Sequence, residues 1–180
     1  MITDEQLIRA CLEGNIEAFR GIIERYEARI ASVILNMLGD CPEADDVGQE
    51  TFIRLYKNLN KFKGKSSIAT YLTRIAINLS INELKRRKRN NLRLERITDT
   101  HHDTIASNHQ ETDALLKQHV KKAIQGLEPG YRAVVTLRLI EGYSTRETAE
   151  ILNIPIGTVL SRLARAQEKL RKDLSNVVGE

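Results

Sequence analysis

Six side chains recur at helical spacing between residues 71 and 89: Tyr71, Arg74, Asn78, Asn82, Lys85 and Arg89. An aromatic ring stacks on an unpaired base for roughly 1–3 kcal/mol. Amides can bond base edges, and cations hold phosphates. One aromatic, two amides and three cations on one stripe therefore suit a nucleic-acid strand better than a plain solvated face. The run Lys85-Arg86-Arg87-Lys88-Arg89 and the lysines Lys61, Lys63 and Lys65 extend the positive surface. A second set, Thr158, Ser161, Arg162, Arg165, Lys169 and Lys172, falls on one side of a later helical pattern. At about 100° per residue, its other side carries Val159, Leu163, Ala166, Leu170 and Leu174. A third set, Asp46, Gln49, Glu50, Ile53 and Lys57, shares the outer side of an acidic helix and reads as a docking patch.

Catalysis finds less support. Asp45, Asp46, Gln49 and Glu50 are the one group worth weighing as a metal site, but no HExxH or ExxH spacing occurs, nor a Gly-rich phosphate loop. His101, His102 and His109 sit in a polar stretch where chance composition explains them. The expectation is a binding protein, not an enzyme, with no cofactor, catalytic residue or metal.

The elements that position these residues follow from local signals. Thr3 and Gln6 form a capping box for a first helix ending near Gly14. Asn15 caps a second, in which Ile16, Phe19, Ile22, Ile23, Tyr26, Ile30, Val33, Ile34 and Met37 mark a buried side, and Gly39 stops it. Pro42 suits the first turn of a third helix, with Glu43, Asp45 and Asp46 at its positive end. Gly48, Phe52, Leu55, Tyr56 and Leu59 are expected to face inward. A fourth helix should run from about Ile68 to Arg89, with apolar flanks on both sides of the stripe. Residues 93–112 are polar and nearly without apolar period, and are expected to be a flexible linker.

Helices resume near Asp113, break at Glu128-Pro129-Gly130, and continue from Tyr131 to about Glu141. Ser144 and Glu147 form a second capping box. Asn153 stands at a turn that needs a residue tolerant of positive φ. Ala149 is small where two helices must cross, and Leu152, Ile154, Val159 and Leu163 are spaced to form the core between them. This is the logic of a DNA-reading helix-turn-helix, whose second helix enters the major groove. No strand signal and no repeat occurs. The expected fold is all-α: two small helical domains joined by a flexible linker, the second with a helix-turn-helix.

Bulk properties agree. With 41% hydrophobic and 29% charged residues among 180, a soluble globular chain is expected. No apolar run approaches the roughly 20 residues of a membrane span, and the start MITDEQLIRA lacks a signal-peptide core. Cys11 and Cys41, far apart, read as reduced thiols in a cytoplasmic protein. Charge alternates in blocks. Residues 1–60 carry 6 basic and 11 acidic side chains, whereas residues 61–96 carry 11 basic and 2 acidic. One surface for a polyanion and another for a different partner would produce that pattern.

DDVGQETFIRLYKNLNKF resembles the polymerase-binding signature in region two of sigma-70-type factors. SSIATYLTRIAINLSINELKRRKR is similar to the segment that reads and opens the minus-ten element. ALLKQHVKKAIQGLEPGYRAVVTLRLIEGYSTRETAEILNIPIGTVLSRLARAQEKL resembles region four, which binds the minus-thirty-five element. Nearly the whole chain outside the linker is covered. The chain thus resembles the extracytoplasmic-function sigma factors, small subunits that give RNA polymerase promoter specificity.

The resemblance implies region two over 1–92, a linker over 93–112 and region four over 113–180. It implies polymerase contacts at Asp46, Gln49, Glu50 and Ile53, with Phe52 structural. Minus-ten contacts fall to Lys63, Ser66, Tyr71, Arg74, Asn78, Lys85 and Arg86, and the loop from Phe62 to Ser67 corresponds to a pocket for an extruded base. Minus-thirty-five contacts fall to Arg146, Thr158, Ser161, Arg162, Arg165 and Lys169. The implied partners are core RNA polymerase, promoter DNA and an anti-sigma factor that holds the chain near the membrane without membrane insertion. Tyr71 replaces a usual Trp, Asn82 a common Asp, Leu160 a usual Lys and Gln167 a usual Arg. An ordinary helix-turn-helix repressor or activator would explain residues 144–174 equally well, but not the basic block with its Tyr71 stripe.

Overall fold

The computed structural model of the chain describes residues 2–62, 64, 66–95 and 112–178, and every element among them is helical. The N-terminal half consists of α1 (Asp4–Leu12), α2 (Ile16–Leu38), α3 (Pro42–Asn58) and α4 (Ile68–Glu95), with a short 3-10 turn over Leu59–Lys61. The C-terminal half consists of α5 (Thr112–Gln125), α6 (Pro129–Val135), a π-helical turn over Thr136–Ile140, α7 (Thr145–Leu152) and α8 (Ile156–Val178).

The helix ends follow the caps in the sequence. Gln6 N–H donates to Thr3 Oγ1 at 3.3 Å and Thr3 N–H to Gln6 Oε1 at 2.8 Å, which satisfies two orphan donors at the start of α1. Asn15 accepts from Ala18 N–H at 3.2 Å at the start of α2. Gly39, at φ +80°, ends α2 in a conformation that a side chain would strain.

Three long helices make the N-terminal core. α4 lies against both α2 and α3, and buries Ile68, Leu72, Ala76 and Ile77 against Ile22, Ile30, Ile34 and Leu55. Each fully buried Leu or Ile contributes roughly 1.5–3 kcal/mol over an exposed one. Ser80 is buried inside α4, and its hydroxyl donates to the Ala76 carbonyl at 2.8 Å, so its burial leaves no orphan donor.

Three features differ from the sequence reading. α4 runs past Arg89 to Glu95, into the stretch expected to be linker; residues 96–111, with the three linker histidines, lie outside the described residues. The helix expected to reach Glu141 instead ends at Val135 and widens into the π-helical turn. Tyr56, expected inward, is 56% exposed. It sits at the margin of the buried face of α3, where it meets Phe19 edge-on at 4.9 Å between centroids. The two helical domains of the expected fold are in contact: Ala133, Leu137, Tyr143 and Ile151 of the second belong to the same apolar cluster as Ile22 and Leu72 of the first.

Candidate nucleic-acid interface and docking surface

α4 presents its stripe because both of its flanks are occupied. Asn78, Asn82, Lys85 and Arg89 are exposed, while Tyr71 is half-buried against Phe62, with ring centroids 5.3 Å apart. Tyr71 thus forms one wall beside the loop leading into α4, and Ser66 is half-buried in that loop. Ser67 opens α4 as its cap, its hydroxyl accepting from Thr70 N–H at 3.1 Å. Lys63 and Lys65 lie outside the described residues.

The basic run does not act as one block. Arg86 donates to Glu83 at 2.7 and 2.9 Å. Arg87 is held more firmly: it donates to Glu83, Glu43, the Leu38 carbonyl and Cys41 Sγ. Bonds to Arg86, then Arg87, draw the Glu83 carboxyl below its ordinary range against the opposing effect of burial. Glu43 is lowered first by backbone hydrogen bonding at the start of α3 and then by Arg87. Arg87 therefore ties α4 to the α2–α3 corner, while Lys85, Lys88 and Arg89 stay exposed. Sequence reading treated all five as one surface; Glu43 and Glu83, four residues before Arg87, were the signal that it divides.

Arg74 points elsewhere. Its Nη2 donates to the Glu150 carbonyl in α7 at 2.8 Å, and its Nε is buried with no hydrogen-bond partner among the described residues. The structure thus brings one member of the stripe onto the second domain.

On α3, Asp46, Gln49 and Ile53 are exposed and Glu50 is half-buried, pairing with Arg54 at 2.7 Å. Gln49 and Ile53 edge an apolar cleft of about 760 Å³ between α2 and α3, floored by Ile30, Ile34 and Phe52. Ile23, Leu35 and Tyr56 also line the cleft. The α2 contribution escaped the sequence reading, although Leu35 beside the buried Ile34 already put apolar residues on two sides of that helix. An open apolar cleft with polar rims suits a partner helix.

The C-terminal unit is built as expected. Ser144 and Glu147 exchange bonds of 2.8 and 3.2 Å at the start of α7, and Ser144 holds the Glu147 carboxyl low. Asn153 sits in the left-handed region at φ 52°, ψ 50° and turns the chain into α8. Val134, Ala149 and Val159 form the small core, with Leu152, Ile154 and Leu163 packed on it. Ser161, Arg165, Lys169 and Lys172 are exposed on α8 and Arg146 on α7, while Thr158 and Arg162 are half-buried. The Arg162 guanidinium lies so close to Gly130 that a Cβ there would sit 3.3 Å from it. Leu160, in place of a cation, is 53% exposed.

Comparison with known proteins decides what these surfaces belong to. Residues 22–90 match the family model of sigma-70 region 2, and residues 117–170 that of sigma-70 region 4. The chain is 34% identical to the ECF RNA polymerase sigma factor SigW of Bacillus subtilis, over 94% of this chain and 96% of that one. The chain belongs to the ECF sigma factors. It is also 33% identical to the RNA polymerase sigma-H factor of Pseudomonas aeruginosa, over 98% of this chain and 96% of that one. A solved sigma factor RpoE, in complex with the anti-sigma factor NepR from Bartonella quintana, shares the fold with a TM-score of 0.65 and 23% identity, covering 87% of this chain and 96% of that one. As a sigma factor, the chain acts in transcription initiation with RNA polymerase. α4 belongs to its region two and the helix-turn-helix to its region four. No described helix is long and apolar enough to cross a membrane.

Proposed function

We propose that this sigma factor docks on core RNA polymerase through the rim of the α2–α3 cleft, with Asp46, Gln49, Glu50 and Ile53 as contacts. Residues 1–92 then act as region two, capturing the unpaired non-template strand on Tyr71, Asn78 and Lys85 and in the loop with Ser66. Lys63 and Arg86 add charge there, and Arg74 joins when it is released from Glu150. Residues 113–180 act as region four. Arg165, Ser161 and Thr158 face base edges, while Arg146, Arg162 and Lys169 hold phosphates and flank them. Residues 93–112 tether the two.

The observation that carries this reading is the exposed amide-and-cation strip of α4 beside a stacked Tyr71. Opening a duplex costs a few kcal/mol per base, and a surface that binds only the opened strand offsets that cost. Linking two modest contacts then raises their combined effect without any new one.

The mechanism is binding, with no bond made by the chain itself and no cofactor needed. The work takes place in the cytoplasm, and an anti-sigma factor, as the RpoE likeness suggests, covers these surfaces between signals and can keep the chain near the membrane. Run-off transcription with sigma-free core polymerase over a promoter library tests the reading. Accurate starts that depend on the chain are expected; a chain that gives none, yet binds its own DNA site without polymerase, would be an ordinary helix-turn-helix regulator.

A further inference from the structure

The two flanks of α8 differ in kind. At about 100° per residue, the exposed cations Arg165, Lys169 and Lys172 and the half-buried Arg162 gather on one flank. The other flank of its first turns is apolar and just as open. Ile156 is 49% exposed and Leu160 53%, and Ala164 continues the row in solvent. Residues four apart lie one above another on a helix, so these three make a single ridge. Gly157 and Ser161 lie between the ridge and the cations. Nothing stands within 4 Å of where a Cβ on Gly157 would be, so the strip beside the ridge is low and open.

A single exposed leucine is ordinary. An aligned apolar row in the first turns of a helix suited to the major groove is not, because those turns meet base edges. The neighbours of the row point to what covers it. Arg146 of α7 borders the same shallow cleft as Ile156, and Arg165 lies about 140° round the helix from Leu160. Cations on both sides of an apolar strip match a duplex, with phosphates at the margins and base edges between.

In the major groove only thymine offers an apolar group, its C5 methyl. A leucine over guanine O6 and N7, or over the amino groups of cytosine and adenine, would strip water from polar edges and return no hydrogen bond. The ridge therefore favours one base and penalises the other three.

We infer that Leu160, with Ile156 and Ala164 in line beside it, reads a thymine of the upstream element by packing on its C5 methyl. Leu160 is then a specificity-determining residue, in an assignment that rests on region four holding the upstream duplex. Cation contacts to guanine and phosphate come from one flank of α8, and methyl recognition from the other.

The test uses the sigma factor in complex with core polymerase. Selection from a randomised upstream library first gives the preferred element. Each thymine in it is then replaced by deoxyuridine, which removes the methyl alone. Competition binding should show a thymine at which uracil weakens the wild type about fourfold, the effect of one buried methyl-sized group. Leu160→Ala should bind more weakly and become indifferent to the exchange. Leu160 is exposed, so this change leaves the core of Val134, Ala149 and Val159 in place. Leu160→Lys should move the preferred base at that position toward guanine. Uracil tolerated at every thymine overturns the assignment, as does a uracil penalty that persists in Leu160→Ala and vanishes in Thr158→Ser. A library that returns no preferred element counts against duplex reading by region four itself. A preferred element without a methyl-sensitive thymine counts against Leu160 alone.

Discussion

α4 and α8 are both long helices with exposed cations, but they are supported in opposite ways. α4 is gripped on two sides by α2 and α3, and α6 and α7 of the second domain rest against it as well. Its exposed surface is a narrow strip mixing amides with cations and ending on a stacked tyrosine. α8 is held on one side only, by Val159, Ala166 and their neighbours, so mostly polar and charged side chains, with Leu160 among them, cover the remainder of its circumference. A helix is about 10–12 Å across and the major groove about 12 Å wide. Only a helix that stands clear of its domain can enter that groove. If the proposed roles hold, the lesson is that freedom of the flanks, more than charge, suits α8 to intact duplex and α4 to separated strands.

The sharpest way to break the contrast is Tyr71→Ala. Loss of one stacking platform should weaken binding to a forked template by about 2 kcal/mol, while binding of the upstream duplex by region four is unchanged. Tyr71→Trp should retain strand capture. Gel-shift titration of the polymerase complex on forked and fully paired probes reads both. Next comes Arg165→Ala, expected to cost about 1–2 kcal/mol at one base pair of the upstream element and to relax preference there. Arg162→Ala should cost less in base preference, because that guanidinium already lies over Gly130. Selection from a randomised upstream library compares the two.

Gln49→Ala should weaken assembly with core polymerase by about 1 kcal/mol and leave both DNA preferences alone, which a competition assay against a second sigma factor would reveal. The smallest effect concerns the brace behind the α4 strip. The Glu83 carboxyl is held below its ordinary value of 4.5 in the folded chain. Its contribution is therefore present above that pH and is lost as pH falls through the lowered value. Glu83→Gln should lower Tm slightly at pH 7 and flatten the decline as pH falls below 4.5. A decline as steep as that of the wild type would mean that the Arg86–Glu83–Arg87 brace is not what fixes the strip.

How much of this was legible in the sequence depended on range. Both capping boxes, the Asn153 turn and the small Ala149 crossing are set by residues three or four apart, and the structure reproduces each. The helix faces of α8 follow from periodicity alone. Tyr56 was misplaced because helical phase puts it near Phe52 and Leu59, although the edge of a buried face opens to solvent where the neighbouring helix ends. The contact between the two domains was invisible for a different reason. Thr73 and its hydrogen-bond partner Tyr143 are 70 residues apart, and Arg132 and the Met37 carbonyl it bonds are 95 apart; no local rule couples them. Nothing local marks Arg132 for burial, and only its ring of carbonyls, Met37 and Leu127 among them, explains it.

The π-helical turn after α6 carries a consequence of its own. Its closing bond runs from Glu141 N–H to the Thr136 carbonyl at 2.9 Å, so it holds one residue more than an α-helical turn would. Deleting one residue there would rotate everything downstream by about 100° relative to α6, swinging Tyr143 away from Thr73. Relatives one residue shorter at this point should join their halves at a different angle, so chain length at a single site becomes a marker of domain docking that can be read from genes alone.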